Sequence, residues 1–315
     1  MPQPAPAIKN NFSLAAIDLD GTLLDGNHAI SPANANAVRR LQAAGVQVIL
    51  ASGRHFVSMQ KYAVALPGVQ WVVSCQGGEV ASADRSVVLH RQFMTTDAVR
   101  QVMASGRQRG FTIVAYAIEG MFTPDAWNAD MDFYTALAGL KPVIVSPEDI
   151  LSRQVFKVIW MGEPAAVAAL PANPIAEATI QSVQSVHTNS RFLEFMPVTA
   201  SKAAALQLLA DHLKLSAATA VTFGDGDNDV PMFEWAGTSV AMPHGSPLAL
   251  KKASLVAPAG PPATAFARAV NLVLDKPAVC ARCGAFEAQE IGGEVLCADC
   301  IAQAGCGCAG HPAED

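Results

Sequence analysis

Asp18 and Asp20 stand one residue apart in Ile17-Asp18-Leu19-Asp20-Gly21-Thr22-Leu23, where an apolar stretch from Phe12 to Ile17 meets a glycine. Two carboxylates at a buried strand end repel each other and lose hydration, so the pattern asks for a cation or a reacting group that uses both; otherwise it is an acidic turn. A second acid-rich segment, Phe223-Gly224-Asp225-Gly226-Asp227-Asn228-Asp229, follows another β-type run, Ala220-Val221-Thr222. In a parallel sheet the carboxyl ends of the strands lie together and ligands sit in the crevice outside them, so Asp18, Asp20, Asp225 and Asp229 can converge despite their separation. With backbone carbonyls and water they make the hard oxygen set that Mg²⁺ prefers. A calcium loop wants glycine at its sixth position and glutamate at its twelfth. Counted from Asp225 those places hold Val230 and Ala236, and the sixth from Asp18 is Leu23, so neither cluster encodes one.

The elements that must position these acids read as alternating strands and helices, an α/β pattern with a parallel sheet covered on both faces. Ser31 caps a first helix with Pro32 at its first position; Val38, Leu41 and Ala44 face the sheet and Gly45 closes it. A strand over Val46 to Leu50 delivers Ala51-Ser52-Gly53-Arg54 to the head of a helix expected from Arg54 to about Leu66, where a hydroxyl and backbone N–H groups seat an anion or Ser52 simply caps the helix. Trp71 to Ser74 forms the next strand. Lys202 opens a helix to Leu213 whose apolar positions Ala205, Leu206, Leu208, Leu209 and Leu213 mark one buried face. A cation at a helix N-terminus opposes the dipole, which points to an anion nearby, although a solvated helix face is the plainer reading.

In the order of these parts the chain resembles the haloacid dehalogenase superfamily of phosphohydrolases, and within it the Cof-type group with a large cap inserted between the second and third motifs. Asp18-x-Asp20-Gly21-Thr22 resembles the first motif, Ser52-Gly53-Arg54 the second, Lys202 the third and Gly224-Asp225-Gly226-Asp227-Asn228-Asp229 the fourth, with Phe192-Leu193-Glu194-Phe195-Met196-Pro197 leading into the lysine. The resemblance spans roughly residues 12 to 275. It implies a Rossmann-like core, with Asp18 as nucleophile and Asp20 as general acid and base, a role consistent with an oxygen leaving group. It implies Mg²⁺ on the Asp18 carboxylate, the Asp20 carbonyl and Asp225, with Asp229 in support. Ser52, the Gly53 N–H, Lys202 and Asn228 would hold the phosphoryl oxygens. By the same resemblance residues 1–84 and 191–276 form the core and 85–190 an α/β cap that carries substrate choice. The cap is expected to hold a helix near Asp97 to Arg109, strands near Thr112 to Tyr116 and Phe156 to Met161, and a helix near Pro164 to Leu170. Of its aromatics Phe122, Trp127, Tyr134 and Trp160, packing is the expected role. Two places depart from the family pattern: Cys75-Gln76-Gly77-Gly78 replaces Asn-Gly-Ala, and His244-Gly245 replaces Asn-Ala, leaving Gln76 at the substrate mouth and His244 either on the rim or in a turn beside Pro243.

Six of the seven cysteines lie between residues 280 and 308. Cys280-x-x-Cys283 and Cys297-x-x-Cys300, thirteen residues apart, have the spacing of a zinc ribbon around a hairpin over 285–296 with Gly292-Gly293 at its turn. Disulfides or a redox pair are the rival, less suited to a reducing compartment. Cys306, Cys308 and His311 offer a second or alternative ligand set. Residues 277–315 contain one arginine, no lysine and six acids, which disfavours nucleic acid and fits protein contact or simple stabilisation.

At 315 residues and 51% hydrophobic content the chain can bury a substantial core in more than one domain. Its net charge of −6 discourages nonspecific binding to nucleic acid or anionic membranes. No membrane-length apolar run or basic, apolar leader appears, so a cytoplasmic protein is expected. The function expected is Mg²⁺-dependent hydrolysis of a small phosphorylated metabolite, of the sugar phosphate or phosphorylated cofactor type, through an aspartyl-phosphate. A phosphomutase or phosphotransferase using the same intermediate, or a zinc-tail regulatory protein with a secondary catalytic module, are the alternatives.

Overall fold

The computed structural model describes residues 12–171, 174–175, 181–274, 280, 282–283, 289–291 and 294–304. An eight-stranded sheet is built from β1 (Leu14–Ile17), β2 (Gln47–Ala51), β3 (Trp71–Ser74), β4 (Glu79–Ser82) and β5 (Val88–Arg91). A six-stranded sheet follows: β6 (Thr112–Ala117), β7 (Gly120–Thr123), β8 (Val143–Ile144), β9 (Val155–Met161), β10 (Val183–Asn189) and β11 (Phe192–Pro197). The chain then returns to the first sheet with β12 (Ala220–Gly224), β13 (Thr238–Ala241) and β14 (Leu255–Val256).

The first sheet runs β14-β13-β12-β1-β2-β3-β4-β5, parallel from β14 through β3, with β4 and β5 added antiparallel. Its strands are apolar on both faces because both are covered. Ala15 and Ile17 pack with Leu41 and Met59 of helices Pro32–Ala43 and Phe56–Ala65, and with Phe266 and Val270 of Ala265–Leu274. Leu14 and Ala16 pack with Leu206 and Leu209 of helix Lys202–Leu213 and with Phe233 of Val230–Trp235. β1 and β12 are neighbours in register, Ile17 opposite Phe223, so the acidic segments after them emerge side by side.

The second sheet, β10-β11-β9-β6-β7-β8, is antiparallel except at β7–β8. Helix Thr96–Gln108 covers one face through Val99, Val102 and Met103. The other face, with helix Ala129–Ala138, packs Tyr116, Phe156 and Phe192 in one cluster with Cys75 of the first unit.

The expected elements are present, with shifted ends. Ser31 accepts from the Asn34 N–H and Pro32 sits in the first turn, but the helix stops at Ala43 and Ala44 is exposed rather than facing the sheet. The helix expected from Arg54 begins at Phe56. His55 is its cap, through Nδ1 accepting the Val57 N–H, while Ser52 Oγ instead accepts the Arg54 N–H at 3.2 Å. Helix Lys202–Leu213 buries Ala205, Leu206 and Leu209 as its periodicity requires, while Leu208 and Leu213 are half-buried. Near the C-terminus β15 (Gln289–Ile291) and β16 (Glu294–Leu296) pair antiparallel before helix Ala298–Ala304. Gly292-Gly293, Cys306, Cys308 and His311 lie outside the described residues. No helix among the described residues is long and apolar enough to cross a membrane.

Candidate active site

The site is assembled from strand ends. The Asp18 N–H donates to the Phe223 carbonyl at 2.9 Å, carrying the β1–β12 pairing one step beyond Ile17, and the chain then turns sharply. Gly21 makes the turn possible at φ +74, and a Cβ there would lie 2.2 Å from Asp225 Oδ2, so no other residue lets the two acidic segments approach this closely. Thr22 Oγ1 donates to Asp225 Oδ1 at 3.2 Å. His244 lies 2.7 Å through Nε2 from the Gly21 carbonyl, and Gly245 closes a turn onto Met242, so the segment is a turn that leans on the Gly21 bend.

Lys202 reaches the same place from the opposite sheet face. Ser201 caps its helix by accepting from Ala204 N–H, and Gly77, at φ +96, clears the way: a Cβ on it would sit 2.2 Å from the Ser201 carbonyl oxygen. The buried Lys202 Nζ lies 2.5 Å from Asp18 Oδ1 and 2.6 Å from Asp229 Oδ1. This pair of carboxylates is the anion that a lysine at a helix start calls for. Asp229 is further held by Asp225 and Gly226 N–H groups, each 2.9 Å from Oδ2.

Carboxylate oxygens of Asp18, Asp225 and Asp229 lie within 4.8 Å of one another. Oxygens in an octahedral Mg²⁺ shell are about 3 to 4 Å apart, so the donor set and its spacing fit such an ion. The electrostatics agree. Burial pushes Asp18 well above the usual carboxylate range, Lys202 pulls it back, and Asp229 and Asp225 raise it again. Asp225 is pushed up to about 7, first by burial and then by Asp229. Carboxylates that repel in this way are relieved by a divalent cation. Burial works to lower Lys202, and Asp18 and Asp229 more than reverse it, so the ammonium stays charged.

Asp20 stands apart from this cluster, with its side chain 40% exposed. Arg54 grips it in bidentate fashion, Nε to Oδ2 and Nη2 to Oδ1, both at 2.6 Å. Arg54 Nη1 donates to the Ala138 carbonyl at 3.0 Å, and His28 Nδ1 lies 3.3 Å from Asp20 Oδ1. Sequence reasoning gave Arg54 and His28 no role; a guanidinium two residues after Ser52 was visible, but its partner was not.

A cavity of about 280 Å³ opens over the acids, floored by Asp18, Ser52, Gly53 and Asn228 and roofed by the second sheet and its helix. Gln76 is buried in its wall; Oε1 accepts from Asn228 Nδ2 at 3.2 Å and Nε2 lies 3.4 Å from Glu194 Oε2. Tyr134 lines the cavity, whereas Phe122 and Trp160 are buried among the cap helices and Trp127 Nε1 bonds Asp132. Tyr116, Phe192 and Glu194 also line it and were not assigned there from sequence. Glu194 pairs with Lys157 at 2.7 Å. One signal for that pair was legible: each is a lone charge in an otherwise apolar strand.

The tail holds a second cluster. Sγ atoms of Cys280, Cys283, Cys297 and Cys300 lie within 4.8 Å of one another, and none is in a disulfide. Tetrahedral Zn²⁺–thiolate geometry separates sulfurs by about 3.8 Å, so the four fit one ion. Burial works to raise the Cys280 thiol, but backbone N–H groups of Cys297, Cys283 and Arg282 bring it down to about 6, while hydrogen bonds to Cys283 and Cys280 push the Cys300 thiol up to about 12.

This fold, with acids gathered at parallel strand ends beneath a second α/β unit, defines a capped α/β enzyme. The haloacid dehalogenase-like hydrolase family model matches residues 15–260, and the chain belongs to that family. It is similar to a Streptococcus pyogenes protein named a phosphatase by inference, 29% identical over 75% of this chain and 89% of that one. It is also similar to the HMP-PP phosphatase of Citrobacter koseri, 27% identical over 74% and 85%. Among solved structures, a haloacid dehalogenase-like hydrolase from Bacteroides thetaiotaomicron superposes with TM-score 0.67 at 22% identity, covering 78% of this chain and 94% of that one. A subclass IIB sugar phosphatase of the superfamily superposes with TM-score 0.71 at 15% identity, covering 84% and 99%. The chain is a phosphoric monoester hydrolase with the subclass IIB, or Cof-type, fold.

Proposed function

We infer that the protein is a Mg²⁺-dependent phosphatase of small phosphorylated metabolites that works through an aspartyl-phosphate. The observation that carries this reading is the Asp18 carboxylate, gathered with Asp225 and Asp229 and touched by Lys202, at the floor of a cavity between the two sheets. Asp18, the Asp20 carbonyl, Asp225 and Asp229 would hold Mg²⁺, which would supply positive charge against that of substrate and nucleophile. Ser52, Gly53 N–H, Lys202 and Asn228 hold the phosphoryl oxygens; removing one such donor raises the barrier by about 3 to 4 kcal/mol.

A carboxylate oxygen of Asp18 attacks phosphorus as the ester P–O bond breaks; Asp20, bonded to Arg54 through both oxygens and partly exposed, first takes a proton from solvent and then gives it to the departing alcohol oxygen. Water then loses a proton to Asp20 and attacks the same phosphorus, releasing phosphate and restoring the Asp18 carboxylate. The cap limits water entry during the first step. Sheet membership favours cap bounds other than the expected 85–190: Val88–Arg91 belongs to the first sheet and Phe192–Pro197 to the second, so the cap strands run from Thr112 to Pro197. Cys280, Cys283, Cys297 and Cys300 bind a structural Zn²⁺ that gives a short acidic tail a core of its own, suited to protein contact.

The test is Mg²⁺-dependent hydrolysis of phenyl phosphate by the native protein, by Asp18→Asn and by a chain ending near residue 275. Turnover that survives tail removal and is lost in Asp18→Asn supports the reading. Turnover retained by Asp18→Asn, or absent throughout, overturns it.

A further inference from the structure

Charge around the cavity is already matched at its outer end. Arg54 is the one cation among the described residues lining it, and Asp20 and the Ala138 carbonyl occupy its guanidinium. Lys157, bonded to two lining residues, is taken up by Glu194 and by the Gly53 carbonyl, 2.7 Å from each. Lys202 answers one charge of the Asp18–Asp229 pair, and a divalent cation would answer what is left of Asp18, Asp225 and Asp229 together. With those charges answered, no described residue lining the cavity offers an unpaired cation to a second anion on the substrate.

The cavity wall contributed by the second sheet and its helix is of a different kind. Glu194, 5% exposed, lines it; among the described residues its Oε1 takes one hydrogen bond, from Thr188 at 3.0 Å. The hydroxyls of Tyr116 and Tyr134 bond each other beside it, and Phe192 and Leu137 add apolar surface. A neighbouring hollow that shares Thr188, Asn189 and Asp225 has His187 as its one basic side chain among the described residues.

We propose that this wall selects phosphomonoesters whose leaving alcohol is uncharged or cationic, offering hydroxyl or amino donors to Glu194 and the tyrosine pair and an apolar side to Phe192. Leaving groups that carry a carboxylate or a second phosphate are turned away, because no unpaired cation among the described lining residues meets them and their desolvation goes uncompensated. The proposal rests on the phosphatase reading above and names the substrate class that reading leaves open.

The experiment compares kcat/KM of the full-length protein, with Mg²⁺, for pairs that differ in one anionic group: phenyl and 4-carboxyphenyl phosphate, glycerol 3-phosphate and 3-phosphoglycerate, glucose 6-phosphate and 6-phosphogluconate. The neutral member is expected to be favoured by about tenfold or more in each pair, a discrimination of about 1.4 kcal/mol. Leu137→Arg, at the end of helix Ala129–Ala138, and separately Asn189→Lys place a cation at the wall and should narrow the ratio severalfold by raising turnover of the anionic member. Equal or better turnover of the anionic members by the native protein overturns the proposal, as does a ratio that neither substitution changes. If phenyl phosphate itself is not hydrolysed, the phosphatase reading falls with it; hydrolysis without discrimination overturns the substrate class alone.

Discussion

Lys157, on a strand of the cap, donates to the Gly53 carbonyl of the core at 2.7 Å and to Glu194 at the same distance. One buried ammonium thus ties the cap sheet to the loop that carries Ser52. Replacing it by a neutral side chain leaves Glu194 buried and unpaired, which typically costs about 3 to 5 kcal/mol. Lys157→Met should lower the unfolding free energy by that order in equilibrium denaturation, and Lys157→Met/Glu194→Leu should recover most of the loss. A single-substitution loss under about 1 kcal/mol would mean that water reaches the pair.

Gly21 is the point at which the two acidic segments touch. Gly21→Ala would strain a left-handed residue by about 1 to 2 kcal/mol and push its Cβ into Asp225. Displacing that carboxylate by about 1 Å should lower kcat/KM by about 100-fold and raise the Mg²⁺ concentration for half-maximal activity. Unchanged metal dependence would separate Asp225 from the ion.

The bidentate grip of Arg54 on Asp20 requires a planar fork. Arg54→Lys keeps the charge and loses one of the two parallel bonds, so kcat for phenyl phosphate should fall about 10- to 100-fold with KM little changed. Wild-type kcat in the variant would show that Asp20 needs no such orientation.

His55 gives stability a pH dependence of known sign. Burial pushes its imidazole down to about 4, against the opposing pull of the Ala117 carbonyl, which lies 2.8 Å from Nε2. Above the ordinary value of about 6.5 both folded and unfolded chains hold the neutral ring and the stabilisation is complete. As pH falls from 6.5 toward 4 the unfolded chain takes up a proton that the folded chain refuses, and about 3 kcal/mol is lost. Unfolding free energies at pH 7.5 and 4.5 should therefore drop further in the native protein than in His55→Gln; equal drops would remove His55 as the cause.

The tail should bind one Zn²⁺ per chain by elemental analysis or native mass spectrometry, and Cys297→Ser should lose it and expose the tail to protease. Zinc retained by that variant would exclude Cys297 as a ligand.

Sequence alone determined the chemical inventory and its order along the chain. Asp18-x-Asp20-Gly21-Thr22 after one apolar run and Gly224-Asp225 after another could be read as strand-end acids, because strand period and turn residues are local properties. Lys202 at a helix start pointed to an anion partner, and four cysteines in two pairs had the spacing of a ligand cluster, for the same reason.

Tertiary structure decided which groups meet. That Asp229 rather than Asp20 shares the lysine with Asp18 depends on two helices and a sheet meeting at one point, with Gly77 admitting the second helix. Arg54 was legible as a residue, but its bonds to Asp20 and Ala138 join positions far apart in the chain. The cavity wall of Tyr116, Tyr134, Phe192 and Glu194 is likewise a product of two cap strands and helix Ala129–Ala138 stacked over the core. Apolar periodicity distinguishes a buried face from an exposed one, but packing between separate segments decides whether a buried side chain faces a neighbour or a substrate.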